Sequence, residues 1–193
     1  MKSNIITGLL FAFLISALLS SCATTKVPDS QVSPVYITNT KKFYLLSPSA
    51  IEKDVECQQV LNGKFGESAF LILAYTKADS NGIFLYLFNT LGTGMGSLNY
   101  DGIKVSFDSN VFPKKLKAEY IVADLQFAYY RLEEIQKSLS QLGLTVKEET
   151  VENKKTRTIS SGKQIIEEIT FENNIIMIKN LLRNYSYELT GIE

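Results

Sequence analysis

The chain has 193 residues, with 20 Lys and Arg against 20 Asp and Glu, and it contains neither His nor Trp. This charge balance disfavours binding to nucleic acid or to another strong polyanion. The missing histidine removes the usual metal ligand and the usual general base near neutral pH, so we expect no metal site, no cofactor and no Ser-His or Cys-His catalysis.

The first 21 residues have the features of a secretion signal. Lys2 gives a positive start, an apolar stretch runs over residues 5–19, and small residues lead to Cys22. The sequence Leu-Ser-Ser-Cys that ends at Cys22 resembles a bacterial lipobox, at which the thiol is diacylated and the signal is cut off. A transmembrane helix needs a longer apolar run, of roughly 20 residues. We therefore predict a signal peptide over residues 1–21 and lipid attachment at Cys22.

The residues after Cys22 predict where the anchored protein lies. Ala23 stands where an Asp would resemble the inner-membrane retention signal of many enterobacterial lipoproteins, and no acidic run follows. Both features favour the periplasmic face of the outer membrane. Residues 22–34 are small and polar, with two prolines, a composition that cannot bury enough apolar surface to fold. We predict a lipidated tether over 22–34 and one domain over 35–193.

Short β-branched and aromatic runs follow the tether and predict strands. The apolar runs Phe70–Tyr75 and Ile83–Phe88 flank an Asn-Gly pair at 81–82, which predicts a hairpin. A second hairpin is predicted around the two-residue connection Asp101-Gly102. Earlier strands are expected at Val35–Thr38, at Phe43–Leu46 and at Cys57–Leu61, the last ending at Asn62-Gly63.

Cys57 is the only cysteine besides Cys22. Once Cys22 carries lipid, no intrachain disulfide can form, even in an oxidising compartment. We expect Cys57 to be a small core residue.

The apolar period changes from two to about 3.6 between Pro113 and Gly143, which predicts helices. One helix is expected from about Leu116 to Tyr130. A second has an apolar stripe and ends near Gly143, which suits a helix C-terminus. Strands resume at Leu144, with turns at Ser161-Gly162 and Asn173-Asn174. Strands, a helical insert and more strands favour an antiparallel sheet with helices on one face over a parallel fold.

Three glycines alternate over residues 92–96. A phosphate-binding loop needs a helix after its glycines, because backbone N–H groups at the helix N-terminus hold the anion. A strand follows here, without a Lys-Ser or Lys-Thr pair, so nucleotide binding is disfavoured. The glycines suit a turn between strands, where they permit positive φ and close backbone approach. A functional loop is the other interpretation.

The second interpretation comes from a resemblance. Residues 89–93, Asn-Thr-Leu-Gly-Thr, resemble the Asn-Pro-Leu-Gly loop of LolB, a family of outer-membrane receptors that accept lipoproteins from a periplasmic carrier. The loop leucine of that family protrudes and is implicated in transfer to the membrane, which implies a membrane-insertion role for Leu91. Thr90 replaces the loop proline of the family.

A wider resemblance, to LolB-like lipoproteins often encoded with aryl polyene or flexirubin-type pigment biosynthesis, covers nearly the whole mature chain. Its most specific part is residues 121–130, Ile-Val-Ala-Asp-Leu-Gln-Phe-Ala-Tyr-Tyr, although Tyr130-Arg131 replaces the usual Trp-Pro. The resemblance implies an α+β fold, an incomplete, curved antiparallel β-barrel of the LolB/LolA type with the helical insert as a lid. An apolar cavity for acyl chains is implied as well. Candidate cavity residues, which their spacing alone would assign to a core, are Phe84, Tyr86, Phe88, Leu125, Tyr129 and Tyr130.

Three functions remain open. The first is a monomeric, non-enzymatic carrier or receptor that takes lipoprotein acyl groups or a polyene or lipid product, with a periplasmic carrier protein as a partner, and delivers it to the outer membrane. The second is an accessory lipoprotein that scaffolds a biosynthetic or export complex. An enzyme would have to use carboxylates such as Glu133-Glu134 or Glu167-Glu168, which we expect to be solvated surface, since neighbours along a chain point apart.

Overall fold

The computed structural model describes residues 34–109, 112 and 117–192. The predicted signal peptide, Cys22 and all of the tether except Pro34 lie outside these residues. The described part contains a two-stranded ladder, a ten-stranded antiparallel sheet and two helices. This arrangement confirms the prediction of an α+β fold with an antiparallel sheet and a helical insert.

The N-terminal segment, residues 34–51, contains β1 (Val35–Tyr36), β2 (Lys42–Phe43) and a 3-10 turn (Pro48–Ala50). Two helices, α1 (Ala118–Tyr129) and α2 (Leu132–Gln141), follow the first five strands of the large sheet. The strands of that sheet are β3 (Val55–Phe65), β4 (Ser68–Asp79), β5 (Gly82–Phe88), β6 (Gly94–Tyr100), β7 (Val105–Ser109), β8 (Thr145–Val151), β9 (Lys154–Ser161), β10 (Gln164–Glu172), β11 (Ile175–Asn180) and β12 (Tyr185–Gly191).

The large sheet has the strand order β7-β6-β5-β4-β3-β12-β11-β10-β9-β8. Each half is a meander in which consecutive strands pair, and the pairing of β3 with β12 joins the halves. The edge strands β7 and β8 do not pair with each other, so the sheet is not closed. The two helices form the connection between these edges.

One face of this sheet, called here the inner face, supplies most of the core. Leu61 of β3 pairs with Ile72 of β4 on one side and with Leu189 of β12 on the other, and all three are buried. Leu85 and Leu98 pair with each other across β5 and β6 and are buried on the same face. Because side chains alternate along a strand, the residues between them lie on the opposite, outer face.

Helix α1 is buried on nearly all sides, with ten of its twelve residues buried. The N-terminal segment packs on it: the rings of Phe43 and Phe127 lie 5.0 Å apart, and the Gln126 amide donates to and accepts from the backbone of Leu46. The inner face holds it through Asp124, which accepts hydrogen bonds from Tyr185 and Tyr187. An α-helix that is apolar on most sides needs such cover on most sides.

Several predicted turns are confirmed. Gly143 follows α2 with a φ of +63°, and its N–H bonds to Ser140, which is the left-handed ending that glycine allows. Asn173 and Asn174 both have positive φ between β10 and β11. The Asn-Gly hairpin between β4 and β5 is present as well, with Asn81 in the turn and Gly82 starting β5.

The prediction that a strand ends at Asn62-Gly63 is wrong, since β3 continues to Phe65. Gly63 lies inside this strand. A larger residue does not fit there, because a Cβ would collide with the ring of Phe70 and approach the Cβ of Tyr187 to 2.8 Å. The glycine therefore makes room for aromatic packing rather than for a turn. The turn follows at Gly66, where φ is +59°.

The predicted two-residue turn at Asp101-Gly102 is also wrong, because four residues connect β6 to β7. The Asp101 carboxylate accepts from the backbone N–H groups of Ile103 and Lys104, at 2.9 and 2.7 Å. This local bonding replaces strand pairing at Ile103, which is exposed. Cys57 differs from its prediction too: it is half-buried, because it precedes the buried stretch of β3 that begins at Gln59.

Candidate functional site

An apolar cavity lies between α1 and the inner face. The space that a water-sized sphere can reach inside it is about 20 Å³. A volume of that size admits about one water molecule and no hydrocarbon chain. The lining is entirely apolar or aromatic and consists of Leu61, Phe65, Phe70, Leu85, Leu87, Leu98, Phe107, Phe112, Ile121, Leu125, Tyr187 and Leu189.

Aromatic rings fill one side of the cavity. Phe65 stacks on Phe70 and on Tyr185, with ring centroids 5.7 and 5.0 Å apart. Phe112 meets the edge of Phe70 at 5.0 Å and lies 6.0 Å from Phe107. Aromatic pairs in such geometries contribute about 0.5 to 1.5 kcal/mol beyond the surface they bury. A chain that enters the cavity has to displace some of these rings.

The structure separates the six predicted cavity residues. Leu125 lines the cavity. Tyr129 and Tyr130 are buried elsewhere, and Tyr130 forms a backbone bridge with Ile51. All three residues are buried, Leu125 and Tyr129 within α1 and Tyr130 directly after it.

The prediction that Phe84, Tyr86 and Phe88 face the interior is wrong. Ile83, Leu85 and Leu87 take the inner face of β5, and strand alternation places the three aromatic residues on the outer face. Tyr86 is 41% exposed, and its ring stacks on that of Phe88 at 6.2 Å. These residues therefore form part of the surface of the sheet rather than the wall of the cavity.

Leu91 lies at the tip of the turn between β5 and β6 and is 88% exposed. Asn89 organises this turn: its side-chain oxygen accepts from the N–H groups of Leu91 and Thr93, at 3.0 and 2.9 Å. The Asn89 backbone also bonds to Thr93 and Gly92, and Gly92 has a φ of +79°. The turn thus presents an apolar side chain to solvent on a well-bonded frame.

Further apolar surface lies beside this turn. Leu73 of β4 pairs with Phe88, so Leu71 lies two residues further along, next to residues 89–93. Leu71 is 66% exposed. Leu71, Tyr86, Phe88 and Leu91 together are called here the outer patch. Exposed apolar side chains close together make the outer patch a candidate contact surface.

A polar cluster lies buried between α1 and the sheet. Asp124 accepts hydrogen bonds from the hydroxyl groups of Tyr185, at 2.8 and 3.0 Å, and of Tyr187, at 3.1 Å. Burial raises the pKa of the Asp124 carboxyl to about 7, although the two tyrosine hydrogen bonds and the charge of Arg183 act in the opposite direction. Burial therefore favours the protonated form of Asp124 more than it is favoured in a solvated aspartate.

Glu167 belongs to the same cluster, and the prediction that it is solvated surface is wrong. Its side chain is 2% exposed because a β-bulge between Ile165 and Glu167 breaks the alternation of β10, so that Ile166 and Glu167 are both buried. Asn180 donates to Glu167 Oε2 at 2.9 Å. Within the described part of the chain, Oε1 has no hydrogen-bond partner. Burial and the nearby Asp124 raise the pKa of Glu167 well above its usual value.

A second buried polar group, Arg157, has its charge paired. Its guanidinium donates from Nε to Glu148 Oε2 at 2.9 Å, and Nη2 forms an ion pair with the same oxygen at 2.7 Å. It also donates to the carbonyl oxygens of Phe127 and Tyr130 at the end of α1, at 2.6 and 3.1 Å. Arginine in this position supplies hydrogen bonds to carbonyl groups that have no donor within the helix at its C-terminus. Arg157 therefore anchors α1 to β9.

In residues 34–109, 112 and 117–192, no three Cys, Asp or Glu side chains are grouped so that they could hold a metal ion. No helix in the same residues has the length and apolar character needed to cross a membrane.

The fold and site define a class of protein: an open ten-stranded antiparallel sheet that holds an inserted helix over a small apolar cavity. Residues 56–193 match the family of proteins of unknown function DUF3261, and the chain belongs to this family. The matched range contains both helices, the cavity, Leu91 and the Asp124–Glu167 cluster. No curated protein has significant similarity to the chain.

Proposed function

We propose that this protein is a lipoprotein anchored through Cys22 to the periplasmic face of the outer membrane. It binds a hydrophobic chain, either a lipoprotein's acyl group or a polyene or lipid product, and transfers it to that membrane without catalysing a reaction. In this proposal the sheet is an incomplete, curved barrel of the LolB/LolA type, with α1 and α2 as its lid. The protein acts as a monomer and receives its ligand from a periplasmic carrier protein.

The apolar lining between α1 and the inner face is the observation that carries this proposal. Twelve apolar or aromatic side chains converge on one space, the composition that ligand pockets for apolar molecules have. The space of about 20 Å³ belongs to a closed form, because it is too small for a hydrocarbon chain. Binding therefore requires that α1 or the rings of the cavity wall move.

The outer patch supports contact with a lipid surface. Leu91 extends from its turn, and moving one leucine side chain fully out of water contributes about 1.5 to 3 kcal/mol. Such a contribution is too small to anchor a protein by itself but adds to a lipid anchor on the same chain. Membrane contact through Leu91 would bring the turn after β5 to the bilayer.

Photolabelling tests ligand binding. The purified lipidated chain is mixed with a long-chain fatty acid that carries a diazirine, irradiated, and mapped by mass spectrometry. We expect saturable labelling of the cavity side chains Phe70, Leu98 or Leu125, located to single residues so that Phe70 is distinguished from its neighbour Leu71. Ile121→Phe, which adds bulk inside the cavity, should reduce this labelling, whereas Leu71→Phe adds similar bulk on the outer face and should leave it unchanged. Labelling that never saturates, or that is confined to the outer patch, would contradict the proposal.

The filled interior favours an alternative function. A protein that scaffolds a biosynthetic or export complex needs no internal space, and the edge strands β7 and β8 or the helices offer it contact surfaces. A photoreactive group at position 91 distinguishes the two functions in cells. Adducts with lipid or with many lipoproteins support transfer, whereas adducts with one protein partner support scaffolding.

A further inference from the structure

The Asp124–Glu167 cluster joins the helix to three strands. Asp124 belongs to α1, Glu167 to β10, Asn180 to β11 and Tyr185 to β12. Asn180 donates to Glu167 at 2.9 Å and contacts the Tyr185 hydroxyl at 3.4 Å, while that hydroxyl donates to Asp124. One chain of hydrogen bonds therefore runs from the helix to β10 through the interior.

The cluster contains more acid than base. The ionisable groups that face Asp124 are Glu167, Tyr185, Tyr187 and Arg183, and Asp124 and Asn180 face Glu167. Arg183, from the turn between β11 and β12, is exposed. It donates to the carbonyl oxygen of Tyr36 and lies 4.7 Å from the ring centroid of Tyr120. One exposed cation does not neutralise two buried carboxylates, so full ionisation of the pair in the closed form is costly.

The cluster also forms part of the cavity wall. The ring of Tyr187 lines the cavity, while its hydroxyl donates to Asp124 at 3.1 Å. On the helix, Ile121 and Leu125 lie three residues before and one residue after Asp124, and both line the cavity. Any movement that separates Asp124 from the two tyrosines therefore opens the wall between α1 and β12.

We propose that Asp124 and Glu167 form a proton-dependent latch, which holds α1 on the inner face while the two carboxyl groups are uncharged and releases it when they ionise. The latch regulates access of a ligand to the cavity, and this role rests on the proposed function. The pH-dependent movement of α1 does not depend on that function. Opening exposes the carboxyl groups to water and lets them lose their protons. Low pH therefore keeps the protein closed, and rising pH favours the open form.

The pH range follows from the two states of Asp124. Its pKa is about 7 in the closed form and returns to about 3.9 when the carboxyl is solvated. Between these values the opening equilibrium rises about tenfold per pH unit for one released proton, and above about pH 7 it levels off. Glu167, whose pKa is raised too, steepens the rise if both groups are released together.

Amide hydrogen exchange of the full-length lipidated chain tests the latch without any ligand. The protection of peptides from α1 is measured between about pH 5 and pH 8 and corrected for the intrinsic exchange rate, so that it reports the opening equilibrium. We expect protection of residues 118–129 to fall at least tenfold over this range, and protection of β4 to stay constant. Equal protection of α1 in the unmodified chain at both ends of the range would overturn the proposal.

Two substitutions place the effect on the cluster. Asp124→Asn and Glu167→Gln each remove an ionisable group but keep its shape, and each should weaken the pH dependence of α1 protection. Glu172→Gln removes an exposed carboxylate from the same strand and should keep the original profile. A pH profile that survives in the double variant Asp124→Asn with Glu167→Gln would overturn the assignment to this pair.

Exchange and photolabelling separate the latch from the proposed function. A pH-dependent α1 without saturable fatty-acid labelling at any pH supports the latch and contradicts the carrier function. Saturable labelling with an α1 whose protection is independent of pH supports the carrier function and overturns the latch.

Discussion

Two buried polar contacts hold α1 to the sheet, and they differ in how their charge is balanced. Arg157 donates to a carboxylate, Glu148, and to two carbonyl oxygens at the end of the helix. Asp124, in the middle of the helix, accepts from two tyrosine hydroxyls and lies near a second buried acid, and the cation that faces it, Arg183, is exposed. The charge of Arg157 is balanced by a carboxylate, so this contact stays in place. The Asp124 carboxyl is buried without a balancing buried cation, so its contact holds the helix only while the carboxyl keeps its proton.

The largest expected effect comes from the paired contact. Arg157→Met should reduce the free energy of unfolding by about 3 to 5 kcal/mol, because it leaves two helix carbonyls without their donor and leaves Glu148 with the longer ion pair to Lys155 at 3.8 Å. Urea unfolding at neutral pH measures the loss. Lys155→Met removes the more exposed and more distant cation from the same Glu148 carboxylate and should change stability by less than about 1 kcal/mol. Equal losses in the two variants would mean that Arg157 does not anchor the helix.

The unpaired contact should make stability depend on pH. The raised pKa of Asp124 means that the folded protein binds a proton more tightly than the unfolded chain. The contribution of Asp124 to the free energy of unfolding is therefore fully present below about pH 4 and is lost as pH rises towards about 7. The loss attributable to Asp124 is of the order of a few kcal/mol. Asp124→Asn should remove it, as measured from urea midpoints at about pH 5 and pH 8. An unchanged pH dependence in this variant would contradict the assignment.

Tyr187→Phe sharpens the comparison by removing one hydrogen bond while keeping the ring in the cavity wall. We expect a loss of about 1 to 2 kcal/mol, because the Asp124 carboxyl then lacks a donor. The pKa of Asp124 should rise further, since that hydrogen bond favours the ionised form. Urea unfolding measures the loss of stability, and carboxyl carbon chemical shifts followed through a pH titration report the pKa. A downward shift of the pKa would be inconsistent with the observed donor.

The smallest effect on stability is expected at the surface. Leu91→Asp should change the free energy of unfolding by less than about 0.5 kcal/mol, because the side chain is exposed and the Asn89 frame remains. Membrane contact should nevertheless decrease, as measured by the depth of a spin label beside position 91 in lipid vesicles. Thr93→Asp, in the same turn, adds the same charge without removing the leucine and serves as the control.

The broad architecture could be predicted from the sequence because turns and periods are local signals. The Asn-Gly pair before β5 and the apolar stripe of α2 follow from short stretches of residues. The sequence could not predict which side chains of β5 face the interior. Ile83, Phe84, Leu85 and Tyr86 are all apolar or aromatic, so polarity does not distinguish the two faces of the strand. Only packing against α1 decides which parity is buried.

The buried carboxyl pair could not be predicted for a related reason. Glu167 and Glu168 are adjacent, and strict alternation would bury at most one of them without saying which. The bulge at Ile165–Glu167 decides it by turning two successive residues inward. The position of Asp124 in the most specific part of the resemblance, residues 121–130, was the available signal, because an acid in an otherwise apolar helix needs a polar partner.

The placement of both helices between the two edge strands has a consequence for how the chain folds. Within each meander every contact joins neighbours in sequence, so β3–β7 and β8–β12 can form early and separately. The pairing of β3 with β12 closes the longest loop in the sheet and should be the late, slow step. A chain cut near Gly143 should therefore yield two fragments that find each other again in solution and restore the full ladder.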